Sequence, residues 1–455
     1  MDTVADVVRR LWGLCNALRD DGISYHEYLS ELSTLLFLKM AEERAVVDRL
    51  GDVPSWSDLS GQEDDSLLER YRYLLRAATA SADPLIKEIF SETDTKIKSS
   101  HALRRLVDGI SEIEWYQGGS QIIGDIYEGL IEKNASESRY GAGQYFTPRA
   151  LVEAMVTVTS PAPDDVVYDP AAGTAGFLVS AASFSDVGGK YADIRGQELV
   201  QDVHRMALMN VLLHGYRGDL GLGDTLSLDP SRLGATLCLS NPPFGIRGGL
   251  APNQQTLLRF PTSNKQLAFL QHAYTSLRAG GRAAVVVPDN VLFETGVASS
   301  IRTHLLDNFD VHTILRLPPG IFYATGVRTS VLFFANTKPT SVVWTYDLRS
   351  SGVSFTKKRQ LMSADLKHFI SVFGADPLGA AERTAEDLFY PTDRASLRGL
   401  GDTLDIRSPN VRGQATRLTP EAMIESLVEE LQSALSVAHD MAQLISEPYP
   451  RDASQ

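Results

Sequence analysis

Four stretches of this chain carry side chains that could do chemistry, and each follows a short apolar run. They are Asp169-Pro-Ala-Ala-Gly-Thr-Ala-Gly176, Gly196-Gln-Glu198, Gly223-Asp-Thr-Leu226 and Asn241-Pro-Pro-Phe244. The last is the most demanding on the backbone. Proline lacks an N–H and has a fixed φ, so it is avoided inside paired strands. Placed directly after Ala235-Thr-Leu-Cys-Leu239, Pro242 and Pro243 end a strand and hold two acceptors in fixed directions. Those acceptors are the Asn241 amide oxygen and the Pro242 backbone carbonyl. Both can take hydrogen bonds from an exocyclic amino group, which steers the nitrogen lone pair toward an electrophile. Phe244 offers a stacking face for a flipped-out base.

The other three stretches read as a binding site for a small cationic molecule. Small residues between a strand and a helix let a ligand approach the backbone at the helix N-terminus. The dinucleotide fingerprint G-x-G-x-x-G is absent, and only Gly173 and Gly176 remain of it, flanking Thr174 and Ala175. Asp169, at the end of the first strand, suits a positive charge. Glu198, at the end of the second, suits ribose hydroxyls. Asp224, after the third, suits an adenine amino group. Taken singly, these are also the letters of an ordinary strand–helix turn and of a capping aspartate. Together they describe a nucleoside with a positive charge and no pyrophosphate. S-adenosylmethionine fits that description.

These groups need a doubly wound sheet to bring them together. Apolar runs at 165–168, 192–195, 235–239, 283–287, 311–315, 330–334 and 341–346 alternate with helix candidates such as 197–214 and 265–279. That alternation predicts an α/β, Rossmann-like, mostly parallel sheet. The last two runs follow each other closely and predict an antiparallel edge hairpin. Residues 1–132 read as a helical domain. Ser24-Tyr-His-Glu27 forms a capping box, followed by Leu32, Leu35, Leu36 and Met40 at helical spacing. Further helices are predicted near 66–80 and 101–115. Residues 246–262 read as a long functional loop. The catalytic domain is predicted over 133–359, with a C-terminal region over 360–455. That region ends in a helix whose seam, Ile424, Leu427, Leu431, Ala434, Ala438, Met441 and Ile445, keeps heptad spacing suited to docking a partner.

Composition narrows the function. The chain has 455 residues, 43% hydrophobic and 22% charged, with ample material for more than one domain. Two cysteines exclude a disulfide framework and fit the cytoplasm. There is no signal-peptide pattern and no apolar run long enough to span a membrane. The net charge of −14 argues against wrapping nucleic acid unaided, so a DNA enzyme of this balance needs a local basic groove or a basic partner; the same charge also serves solubility. The histidines are scattered, and no metal site is expected.

At this point the chain resembles a known family. Asp169 to Leu178 and Asn241-Pro-Pro-Phe-Gly245 are similar to the cofactor and catalytic motifs of amino-group DNA methyltransferases. Gly143-Gln-Tyr-Phe-Thr-Pro-Arg149, Pro288-Asp-Asn-Val-Leu-Phe293, Leu315 to Phe322 and Leu404-Asp-Ile406 resemble the modification subunits of type I restriction–modification systems. The resemblance covers nearly the whole chain. It implies adenine-N6 methylation of DNA with S-adenosylmethionine. Gln144, Tyr145, Phe146, Thr147, Pro148 and Arg149 would lie at the cofactor, with Asp169, Ala171, Gly173, Thr174, Ala175 and Gly176. Glu198 would hold the ribose and Asp224 the adenine ring. Asn241, Pro242, Pro243 and Phe244 would hold the target adenine. Ala175 departs from the glycine that related methyltransferases often carry. The implied partners are DNA, a separate specificity subunit, a second copy of this chain and, in some systems, a restriction subunit. Two other readings remain: an amino-group methyltransferase acting on RNA or on protein glutamine, and a non-catalytic assembly subunit that binds S-adenosylmethionine.

Overall fold

The computed structural model describes residues 4–14, 25–43, 56–91, 94–113, 119–137, 147–244, 250–322, 327–356 and 359–406. Gln144, Tyr145 and Phe146, and the C-terminal heptad helix, lie outside these residues, as does Ser24 of the expected capping box.

The first part of the chain is helical. The helix Tyr25–Glu43 buries Leu32, Leu35, Leu36 and Met40 completely, as their spacing requires. The helices Asp64–Thr79 and Ser100–Ser111 match the two predicted ones, and Ser99 caps the second by accepting the Ala102 N–H. A further helix, Gly119–Glu137, runs through the expected boundary at residue 132. These helices lean on the helix Gln201–Leu213 of the sheet region. Arg205 from that helix donates to the Ile89 carbonyl at 2.6 Å, and one apolar core is continuous across both parts.

The sheet has nine strands in the order β3-β2-β1-β4-β5-β7-β6-β8-β9. Their ranges are β1 Val166–Asp169, β2 Asp193–Glu198, β3 Gly218–Leu222, β4 Ala235–Ser240, β5 Leu277–Pro288, β6 Asp310–Leu317, β7 Thr329–Ala335, β8 Val342–Asp347 and β9 Phe389–Asp393. Strands β3, β2, β1, β4 and β5 are all parallel. This is the expected Rossmann-like half, with helices crossing over both faces. The order reverses between β1 and β4, and that switch point is where such sheets open a crevice for ligands.

Two expectations are corrected. β7 and β8 do not form an edge hairpin. β7 is buried at every residue and inserts antiparallel between β5 and β6, whereas β8 pairs parallel to β6 and antiparallel to β9. Seven consecutive apolar or small residues can be satisfied on both faces only in the middle of the sheet. The boundary at 359 also fails. The helix Ser363–Phe373 packs on the helix Arg149–Thr159, and β9 closes the sheet's far edge with Pro391 on its rim. Residues 363–406 therefore belong to the sheet unit. Among the described residues no helix is long and apolar enough to cross a membrane.

Candidate functional site

At the end of β1 the chain turns through Pro170 to Ala175 into the helix Gly176–Ser185. Gly173 has φ +55° and Ala175 has φ +66°, so the turn uses two left-handed residues. For alanine that conformation costs on the order of 1–2 kcal/mol relative to glycine. Asn210, from the helix Gln201–Leu213, braces this turn by donating to the Thr174 carbonyl at 2.9 Å. Asp169 is 1% exposed beneath the turn. It accepts the Ala171 N–H at 3.0 Å and the Ser240 hydroxyl at 2.7 Å. Burial pushes its carboxyl up to about 7, further than those two donors pull it down. A cation arriving beside it would favour the ionised form.

Glu198 ends β2 and faces the same turn. Its carboxylate accepts the Gly173 N–H at 2.9 Å and the Val200 N–H at 2.8 Å, and partial burial raises its pKa. It thus clamps the glycine turn from the neighbouring strand while keeping acceptor capacity. Asp224 lies one residue past Gly223 and accepts the Leu226 N–H at 3.0 Å. Its other oxygen accepts the Gln254 side-chain amide at 2.7 Å, from the short helix Pro252–Gln255 that follows the catalytic motif. Leu199 and Leu222 are exposed at 62% and 45%, and the register Glu198↔Leu222 puts them at the carboxyl ends of β2 and β3. Apolar side chains left open beside two carboxylates suit the faces of a flat heterocycle. Neither leucine was singled out by the sequence, because an apolar residue after a strand reads as core.

Asn241 follows β4 and is 6% exposed. Its amide nitrogen donates to the Thr147 hydroxyl oxygen at 2.9 Å. Its amide oxygen is buried with no hydrogen-bond partner among the described residues. A buried acceptor without a donor costs about 1–3 kcal/mol, so it persists where a ligand supplies the donor. Pro242 is buried and Pro243 partly so, which fixes the path on to Phe244. Phe244 is partly buried and meets Phe322 edge-to-face at a centroid distance of 5.8 Å. Phe322 comes from the Ile321-Phe322 turn after β6, and only the fold brings it to Phe244.

The expected residues therefore meet at one rim. Asp169, Glu198, Asp224 and Asn241 stand at or just past the carboxyl ends of β1, β2, β3 and β4. Ser240 bridges the switch point by tying β4 to Asp169. Thr147 joins from the segment before the sheet. A narrow cleft continues from there, between the glycine turn and the 119–137 helix, lined by Thr147, Thr174, Gly176, Glu128, Glu132 and Arg149. Arg149 stands in this cleft beside Thr174 and Gly176. It pairs with Asp125 at 2.8 Å, Glu153 at 3.0 Å and Glu128 at 3.8 Å, and so holds the helical domain as the cleft's outer wall. His214 converges on Asp125 and Glu128, but the guanidinium already supplies these carboxylates with positive charge. The residues fit S-adenosylmethionine on chemical grounds: carboxylates for a cation and a ribose, open apolar faces for a purine, a turn of small residues, and an orphaned acceptor for an amine.

Comparison with known proteins places the chain in a family. The N-6 DNA Methylase family matches residues 119–390. The methylase subunit of the type I restriction enzyme StySPI from Salmonella potsdam is 43% identical over 427 residues, covering 86% of this chain and 80% of that protein. The EcoKI methylase subunit from Escherichia coli K12 is 42% identical over the same length. The crystal structure of the EcoKI M protein superposes with a TM-score of 0.54 at 34% identity, over 97% of each chain. A chain of a type I restriction–modification assembly shares the fold with a TM-score of 0.76 at 24% identity, covering 98% of this chain and 100% of its own. This chain belongs to the N-6 DNA methylase family, as an adenine-N6 DNA methyltransferase of the type I methylase-subunit kind.

Proposed function

We propose that the chain methylates N6 of an adenine flipped out of DNA, using S-adenosylmethionine, at a site chosen by a separate specificity subunit. The observation that carries this reading is the buried amide oxygen of Asn241 at the end of β4, which has no partner among the described residues. It is an acceptor waiting for an N–H in a crevice whose carboxylates suit a cationic nucleoside.

When bound, S-adenosylmethionine supplies an electrophilic methyl group. Asp169 and the turn Ala171 to Gly176 would hold its charged end, Glu198 its ribose, and Asp224 its adenine. For the last, Asp224 keeps acceptor capacity beside its bonds from the Leu226 N–H and the Gln254 amide. Asn241 accepts a hydrogen bond from the target amine and stabilises the positive charge that grows on its nitrogen. The rigid Pro242-Pro243 path aims the Pro242 carbonyl and sets Phe244 as a stacking face. Phe322 stops Phe244 from folding away. No enzyme nucleophile is required, and catalysis is positioning plus electrostatic complementarity.

The net charge of −14 supports a division of labour, with a specificity subunit supplying much of the grip on phosphate. The C-terminal heptad seam is the proposed dock for that subunit. Removing residues 420–455 should leave a folded chain that binds S-adenosylmethionine but no longer co-purifies with the subunit. A truncated chain that still assembles and methylates defeats the docking idea. A second copy of this chain completes the assembly, and a restriction subunit joins it in systems that cleave. A protein of this kind works on chromosomal DNA in the cytoplasm. Radiolabelled methyl transfer offered DNA, RNA and protein together tests the substrate class. Label in DNA alone is expected, and label in RNA or protein would reassign it.

A further inference from the structure

The catalytic amide has two ends, and only one is held. Asn241 donates through its nitrogen to Thr147 Oγ1 at 2.9 Å, across 94 residues of sequence. Its oxygen has no partner among the described residues. An Asn side chain turns in a broad, roughly two-fold well about its terminal torsion. Turned over, it would present its NH2 to an incoming NH2, and two donors would face each other. Something must hold the productive orientation before the base arrives.

Thr147 is mounted to do so. It directly precedes Pro148, whose carbonyl receives the Leu151 and Val152 N–H groups at 2.9 and 3.1 Å as the helix Arg149–Thr159 begins. The next residue, Arg149, is tied to Asp125 and Glu153. A β-branched residue on such a base has few rotamers. Its hydroxyl therefore sits at a fixed point beside β4, on the side of the Asn241 amide opposite the vacant acceptor.

We propose that Thr147 is a positioning residue for methyl transfer: its hydroxyl pins the Asn241 amide so that the oxygen, and not the nitrogen, meets the target amine. This rests on the methylation reading above and gives Thr147 a role apart from contact with the cofactor. The same bond joins the segment ahead of the sheet to the catalytic strand end.

The test uses the full chain assembled with its specificity subunit. Thr147→Val keeps the shape and removes the hydroxyl, Thr147→Ser keeps the hydroxyl, and Thr147→Ala serves if valine impairs folding. Single-turnover methylation at saturating S-adenosylmethionine should fall by about ten- to a hundredfold in the valine and alanine variants, the range expected for a misplaced catalytic group. Thr147→Ser should stay within about threefold of wild type, and cofactor affinity by calorimetry should move by less than about threefold in all, under 1 kcal/mol. Adding Thr147→Val to Asn241→Ala should cost nothing further, because the threonine acts through the asparagine. Three results overturn the proposal: unimpaired methylation by Thr147→Val, a loss confined to cofactor affinity, or additive losses in the double variant. A wild-type complex that transfers no methyl to DNA would sink the methylation reading itself, and this proposal with it.

Discussion

Replacing Asn241 by alanine should separate catalysis from stability in opposite directions. In the transition state the target nitrogen gains positive charge, and the Asn241 oxygen is one of two acceptors proposed to meet it. Removing one preorganised group aimed at developing charge costs about 2.7–4 kcal/mol, or about 10²–10³ in rate. The folded chain without ligands should not suffer equally. Asn241→Ala deletes a buried acceptor whose lack of a partner costs about 1–3 kcal/mol, and forfeits one bond to Thr147 with a net value of about 0.5–1.5 kcal/mol. The difference runs from a loss of about 0.5 kcal/mol to a gain of about 2.5 kcal/mol. S-adenosylmethionine affinity should shift by less than about threefold, since the amide faces the base and not the cofactor. Three assays on one preparation suffice: single-turnover methyl transfer, calorimetric cofactor titration and urea unfolding. A rate within tenfold of wild type would refute the catalytic role. A stability loss of several kcal/mol together with lost cofactor binding would show that Asn241 is a structural strand terminator.

Three further outcomes follow from the same geometry. Phe244→Ala should weaken productive binding of DNA by about 1–3 kcal/mol, the worth of one base–aromatic stack, while Phe244→Tyr and Phe244→Trp are tolerated far better; equal loss in all three would make Phe244 packing for Phe322. Glu198→Ala should raise the cofactor dissociation constant and leave assembly with the specificity subunit intact, and an unchanged calorimetric titration would remove Glu198 from the site. Glu128, 16% exposed in the cleft wall, has its carboxyl pushed up to about 7 by burial, against the pull of Arg149. A raised carboxyl pKa makes the fold most stable where the group is protonated, so stability should be lost as pH rises from about 5 through about 7, by at most about 3 kcal/mol for this group. Glu128→Gln should therefore match wild type at pH 5 and exceed it in urea unfolding at pH 8, and parallel pH profiles would show that the carboxyl is not perturbed.

What could be read from the letters alone was local. Asp169, Glu198, Asp224 and Asn241 were legible because each follows an apolar run, and a parallel sheet puts the ends of such runs on one rim. The two bonds that assemble them were not. Ser240 reaches Asp169 across 71 residues and Thr147 reaches Asn241 across 94, and spacing in sequence says nothing of such pairs. The position of β7 was hidden for a similar reason. Its nearness in sequence to β8 suggests a hairpin, whereas its burial on both faces demands a central slot, and the second requirement won. β9 was missed because Phe389-Tyr-Pro-Thr-Asp393 contains a proline, which is acceptable only on an edge strand. Arg149 was legible as part of a motif, but its pairing with Asp125 and Glu128 of the helical domain was not.

The central claim is that this crevice moves a methyl group to the amino nitrogen of adenine in DNA. The most direct measurement incubates the chain and its specificity subunit with DNA and S-adenosylmethionine bearing a deuterated methyl group, digests the DNA to nucleosides and reads them by mass spectrometry. Labelled N6-methyldeoxyadenosine should appear with wild type and be reduced to about a hundredth or less with Asn241→Ala. Label on cytosine, label that persists undiminished in Asn241→Ala, or no label in DNA at all would contradict the account.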